Sequence, residues 1–165
     1  MAISRCSLSW WGGLVVAAAC HHEPPALAPL PRPALAHYLA ARLAAIDSDW
    51  KAMATELGSA ASAAPDEAMI AVELARAQGR AGDVAAARAT IDAARVRWPD
   101  HPEVWLAAGD LLAKTAPDDA ARAYRKAIGL DADEERAYLG LVRVDPKHAE
   151  ATLRALTEHV PVCNS

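Results

Sequence analysis

The feature that most constrains this chain is a recurrence with a period of about 34 residues, a spacing typical of stacked helical hairpins. Three stretches close alike, at Ala64-Pro65-Asp66, Trp98-Pro99-Asp100 and Asp131-Ala132-Asp133. The interval from Pro65 to Pro99 equals that from Pro99 to Ala132 to within one position, and a last proline, Pro161, closes a shorter unit. A fixed period of this kind belongs to stacked copies of one supersecondary unit, each sharing its core with its neighbours. Within the second unit, Ile70, Leu74 and Ala77 share one helical face, and Val84, Ala87, Ile91 and Ala94 recur at helical spacing. Between the two runs stand Gly82, suited to a left-handed helix end, and Asp83, whose carboxylate accepts backbone N–H bonds as an N-cap. Ser48-Asp49-Trp50 and Pro117-Asp118-Asp119 hold the same place in the first and third units. Each unit therefore predicts two antiparallel helices joined by a short turn.

Composition supports helices throughout. Hydrophobic residues make up 53% of the 165 residues, yet Phe is absent and aromatics are 5%. Alanine supplies the difference; it is the best helix former and lets helices approach closely. A sheet core would need β-branched and aromatic residues instead. The net charge of -4, with both signs interspersed, excludes a basic nucleic-acid-binding stripe.

These positions resemble the tetratricopeptide repeat. Its unit has a large residue and a small pair on the first helix. Its second helix carries alanine, a bulky apolar residue, alanine and a closing proline. Leu74-Ala75, Ala87, Ile91, Ala94 and Pro99 match in the second unit, and Trp105, Ala108-Gly109, Ala120, Tyr124 and Ala127 in the third. The first matches more loosely through Ala40-Ala41, Met53, Leu57, Ala60 and Pro65. The resemblance implies an all-α fold over residues 34–161, a short right-handed α-solenoid of antiparallel hairpins with three units and a truncated fourth. In that fourth unit a first helix from Glu134 to Val144 is short, and Asp145-Pro146 restarts the chain as N-cap and first helical residue. Ala149, Leu153, Leu156 and Val160 then form one narrow stripe, as a terminal cap requires. Leu57, Leu74, Ile91, Trp105 and Tyr124 are the expected core knobs.

The N-terminus reads as an address. Arg5 precedes an uncharged run from Cys6 to Ala19, too short to span a bilayer and shaped like a secretory signal, so residues 1–19 are set outside the fold. Val16-Ala17-Ala18-Ala19-Cys20 resembles a bacterial lipobox, which implies acylation of Cys20 and a membrane anchor in the bacterial envelope. It departs from that pattern in having Ala17 where leucine is favoured. Ala17 and Ala19 also suit ordinary signal cleavage, which would give a soluble periplasmic or secreted product. Whether Cys20 and Cys163 pair stays open. Residues 20–33 carry five prolines after the cysteine, an extended linker able to hold a domain away from a surface. Residues 162–165 form a tail.

Chemistry-bearing motifs are sparse. His21-His22-Glu23 lies in the linker, where adjacent side chains do not preorganise a tetrahedral shell. His101, His148 and His159 are expected at the surface near turns. Asp131, Asp133, Glu134 and Glu135 lack the glycine and distal glutamate of a calcium loop, and acids at a helix start answer to its dipole. No phosphate loop or nucleophile motif is present, so neither an enzyme nor a cofactor is expected.

What remains is a surface. The resemblance places each first helix on the concave face, where repeat arithmetic sets Arg42, Arg76 and Arg143 at matching positions, with Arg80 and Lys114 a turn further along. Asp110 interrupts this ladder in the third unit. Such a ladder pairs with carboxylates of an extended or helical peptide. The expected function is a scaffold for a protein or peptide partner, tethered through Cys20; the alternative is a soluble exported structural or chaperone-like module.

Overall fold

The computed structural model describes residues 29–159, and residues 1–28 and 160–165, with Cys20 and Cys163, lie outside them. Among the described residues, eight α-helices form four antiparallel hairpins. They are α1 (Arg32–Ile46), α2 (Trp50–Ala63), α3 (Ala68–Arg80), α4 (Val84–Arg97), α5 (Pro102–Leu112), α6 (Pro117–Leu130), α7 (Glu135–Val144) and α8 (Ala149–His159). No described residue is in a strand, and no helix of the described chain is long and apolar enough to cross a membrane.

Local chemistry sets the boundaries. Ser48 and Gly82, one repeat period apart, both take left-handed backbone, with φ of 56° and 87°. The next residue caps the following helix each time: Asp49 accepts from the Ala52 N–H and Asp83 from the Ala86 N–H, both at 3.0 Å. In the third unit the N-cap is Ala116 and Pro117 opens α6, so Asp118 and Asp119 favour the helix start through its dipole instead. Helix α1 begins at Arg32, slightly before the expected edge, because Pro33 fits the first helical turn, where an N–H has no acceptor.

Three apolar clusters run through the stack, each filling the space between one hairpin and the next first helix. Met53, Leu57 and Ala60 of α2 meet Ile70 and Ala77 of α3. Val72, Ile91 and Ala94 meet Val104 and Ala108. Leu106, Leu112, Ala120 and Tyr124 meet Ala137 and Leu141. Alanines let the backbones close in, while Leu57, Ile91 and Tyr124 fill the gaps as expected. Leu74 and Trp105 differ: both are half-buried, and Trp105 sends its indole N–H to the Pro99 carbonyl at 2.7 Å while Arg95 lies over its ring at 4.5 Å. Both still pack against the clusters, Leu74 against the first and Trp105 against the other two, while the polar edge of the indole is satisfied at the turn.

Tyr124 has space because Gly109 and Gly140 face its ring, and a Cβ on either would collide with it. In the fourth unit a 3-10 turn, Pro146–His148, separates Asp145 from α8. Asp145 therefore caps that turn, its carbonyl accepting from the His148 N–H, in place of capping the last helix directly.

Candidate functional site

Helix α3 packs on α5, and α5 on α7, whereas the second helices α2, α4 and α6 make no comparable contact with one another. Helices α3, α5 and α7 therefore form the tighter, inner layer. Two adjoining cavities open on it. One, of about 510 Å³, has a floor of Ala75, Ala107 and Leu111 between α3 and α5, with Arg76, Arg80 and Lys114 around it. The other, of about 350 Å³, is bordered by Arg42, Trp50, Glu73, Arg76 and Arg80. Arg136 of α7 borders both.

The structure thus gathers Arg42, Arg76, Arg80 and Lys114 along one groove, and Arg143 borders neither cavity. It also sorts them by partner. Arg76 donates to Glu103 Oε1 at 3.1 Å and lies 3.7 Å from Glu73. Arg136 donates to the same Glu103 oxygen at 3.0 Å, so one carboxylate ties α3 and α7 to α5. Arg143 is 3.8 Å from Asp110 and donates to the Tyr124 hydroxyl at 3.2 Å. That hydroxyl in turn donates to Asp110 at 2.9 Å. By contrast, Arg42, Arg80 and Lys114 hold no ion pair among the described residues. Arg80 lies over the Trp50 ring at 4.9 Å, a contact that leaves its donors open.

Asp110 is therefore no mere interruption of the ladder: it is the partner of Arg143, one period further along. Sequence reasoning passed over Glu103 and Arg136, although the same signal marks them, opposite charges one period apart on consecutive first helices. Electrostatics follow the geometry. Burial disfavours the Arg136 cation, but the hydrogen bond and charge of Glu103 outweigh this and hold its pKa above the ordinary value. Burial, followed by the charge and hydrogen bond of Asp110, pushes the Tyr124 hydroxyl up to about 12.

The histidines are scattered. His101 is half-buried at the N-cap of α5, near a turn as expected, and its N–H closes that turn onto the Trp98 carbonyl. His148 is exposed and meets Asp145 at 2.9 Å. The His159 side chain lies outside the described residues. No group of three or more His, Cys, Asp or Glu side chains able to hold a metal occurs among the described residues.

Residues 70–111, from within α3 almost to the end of α5, match the family model of the tetratricopeptide repeat. That stretch is similar to a tetratricopeptide repeat, and the fold around it is that of stacked repeats of this kind. Solved structures share the architecture of these repeats. The Sgt2 TPR domain from Aspergillus fumigatus is 21% identical, with a TM-score of 0.66 over 79% of this chain and 87% of that one. The first TPR of Spaghetti (RPAP3), bound to the HSP90 peptide SRMEEVD, is 15% identical, with a TM-score of 0.62 over 71% and 94%. The Arabidopsis OM64 TPR domain is 15% identical, with a TM-score of 0.61 over 68% and 94%. No curated protein matches the chain.

Proposed function

We propose that the protein is a non-enzymatic adaptor of the bacterial envelope that takes an acidic stretch of a partner protein along its first-helix groove. The observation that carries this reading is the α3–α5 cavity, an apolar floor with Arg80 and Lys114 beside it. A carboxylate entering there meets two cations with no internal ion pair to break, and an apolar neighbour covers Ala107 and Leu111. The Spaghetti repeat, solved with a peptide that mixes Glu and Asp with Met and Val, supports the same class of partner. Fluorescently labelled SRMEEVD is the probe, titrated into the full chain and into Arg80→Glu/Lys114→Glu. Loss of two charge-assisted bonds should weaken binding by about tenfold or more, with a matching loss of salt dependence. Equal affinity for both chains would refute the groove.

The tether is the second part of the proposal. Cys20 follows a lipobox-like Val16-Ala17-Ala18-Ala19, and the proline-rich residues 21–31 space the repeats from it. Intact mass of the exported protein tests this: a diacyl or triacyl increment on a chain beginning at Cys20 is expected. An unmodified chain beginning there gives the soluble exported module that Ala17 and Ala19 also favour.

A further inference from the structure

We infer that the outer face of α1 is a self-association surface whose occupant is a second copy of this chain, with the two α1 helices antiparallel. The inference is independent of the groove. Leu35, Leu39, Leu43 and Ile46 are 43, 54, 64 and 78% exposed. Their helical spacing aligns them in one stripe, on the side of α1 away from Ala34 and Ala41, which are buried against α2. At the other end of the stack α8 packs on α7 as a cover. Stacked repeats need polar outer faces at both ends, and this end presents four large apolar side chains.

Charge selects the occupant. Arg32 opens α1 and Asp47 caps its end, and neither makes an ion pair among the described residues. An antiparallel pair centred on Leu39 sets Leu39 against its own mate and Leu35 against Leu43. Arg32 of each copy then lies over Ile46 and Asp47 of the other. The arrangement is isologous, so every favourable contact occurs twice. A parallel pair would oppose Arg32 to Arg32 and Asp47 to Asp47. An anionic lipid surface would attract Arg32 but repel Asp47 at the far end of the same stripe. Four half-exposed side chains fall short of the roughly 800 Å² per partner of a standard stable interface, so the dimer is weak and concentration-dependent.

The two-fold axis passes Leu39, which makes the test direct. The full chain is expressed with Leu39→Cys in a Cys6→Ser/Cys20→Ser/Cys163→Ser background and oxidised. The same background alone and with Val96→Cys, a position 84% exposed on α4, serve as controls. A disulfide dimer is expected with Leu39→Cys and not with either control. Adding Arg32→Glu places like charges at both ends and should lower the dimer yield by about tenfold, given two surface pairs turned repulsive. Arg32→Glu with Asp47→Arg should restore it. Circular dichroism checks that each variant keeps its helices. Crosslinking no stronger than with Val96→Cys would overturn the proposal, as would a double reversal as impaired as the single one. So would loss of sedimentation with phosphatidylglycerol vesicles in Leu39→Glu without any Leu39→Cys crosslink, which would give the face to lipid.

Discussion

Tyr124 links the core of the stack to its inner surface through one side chain. Its ring is fully buried against two glycines, and its hydroxyl reaches Asp110 and Arg143 on the groove side. Because the hydroxyl pKa is raised to about 12, the folded state prefers the protonated form. The sign follows. That contribution is fully present below the unfolded value of about 10 and is lost as pH rises through the folded value. Tyr124→Phe is therefore expected to cost about 2 kcal/mol at neutral pH, for the loss of two hydrogen bonds to charged partners. It should also remove one alkaline component of unfolding. Urea titrations of both chains at neutral and alkaline pH measure both effects, and equal alkaline slopes would contradict the assignment.

At the scale of the helix, short-range chemistry wrote the boundaries. Gly82-Asp83 and Ser48-Asp49 were legible because a left-handed residue followed by a capping carboxylate is a local device needing no tertiary partner. Asp83→Ala should accordingly cost about 1 kcal/mol, read as a lower denaturation midpoint with unchanged slope. What escaped sequence reasoning depended on register between helices. Glu103 and Arg136 meet only once α5 and α7 are laid side by side, and Trp105 turns its indole to Pro99 only because the preceding turn is there to receive it. The 3-10 turn before α8 was likewise hidden, since Asp145-Pro146 reads the same before either kind of helix. Asp145 carries its own test. The hydrogen bond from His148, then the charges of His148 and Arg125, lower its pKa. Its contribution is present above the unfolded carboxylate value of about 3.9 and fades as pH falls through the lower folded value. Acid should therefore loosen the turn before α8, and Asp145→Asn should flatten that acid response. Hydrogen exchange of the α8 amides across that range reads it directly.

The whole molecule is a line of hairpins, so its stability should be distributed along that line and not held in one place. Each apolar cluster joins only adjacent units: Leu57 serves the first and second, Ile91 the second and third, and Tyr124 the third and fourth. In such a stack, total stability approximates a sum of unit and nearest-neighbour terms. A cavity in one cluster then weakens its own two units first, while distant units keep their remaining neighbour. Leu57 is fully buried between α1, α2 and α3, so Leu57→Ala removes apolar contacts and leaves a void, costing about 2–5 kcal/mol. That loss should not spread evenly. Exchange protection should fall most in α1 and α2, less in α3, and least in α6 and α7, which touch none of the affected cluster. A uniform loss of protection from α1 to α7 would mean that the described chain unfolds as one cooperative body. The groove would then be as rigid as the core beneath it. A graded loss leaves the α1–α2 end able to open while α5 to α7 hold, so the Arg42 side of the groove moves more freely than the Glu103–Arg136 side.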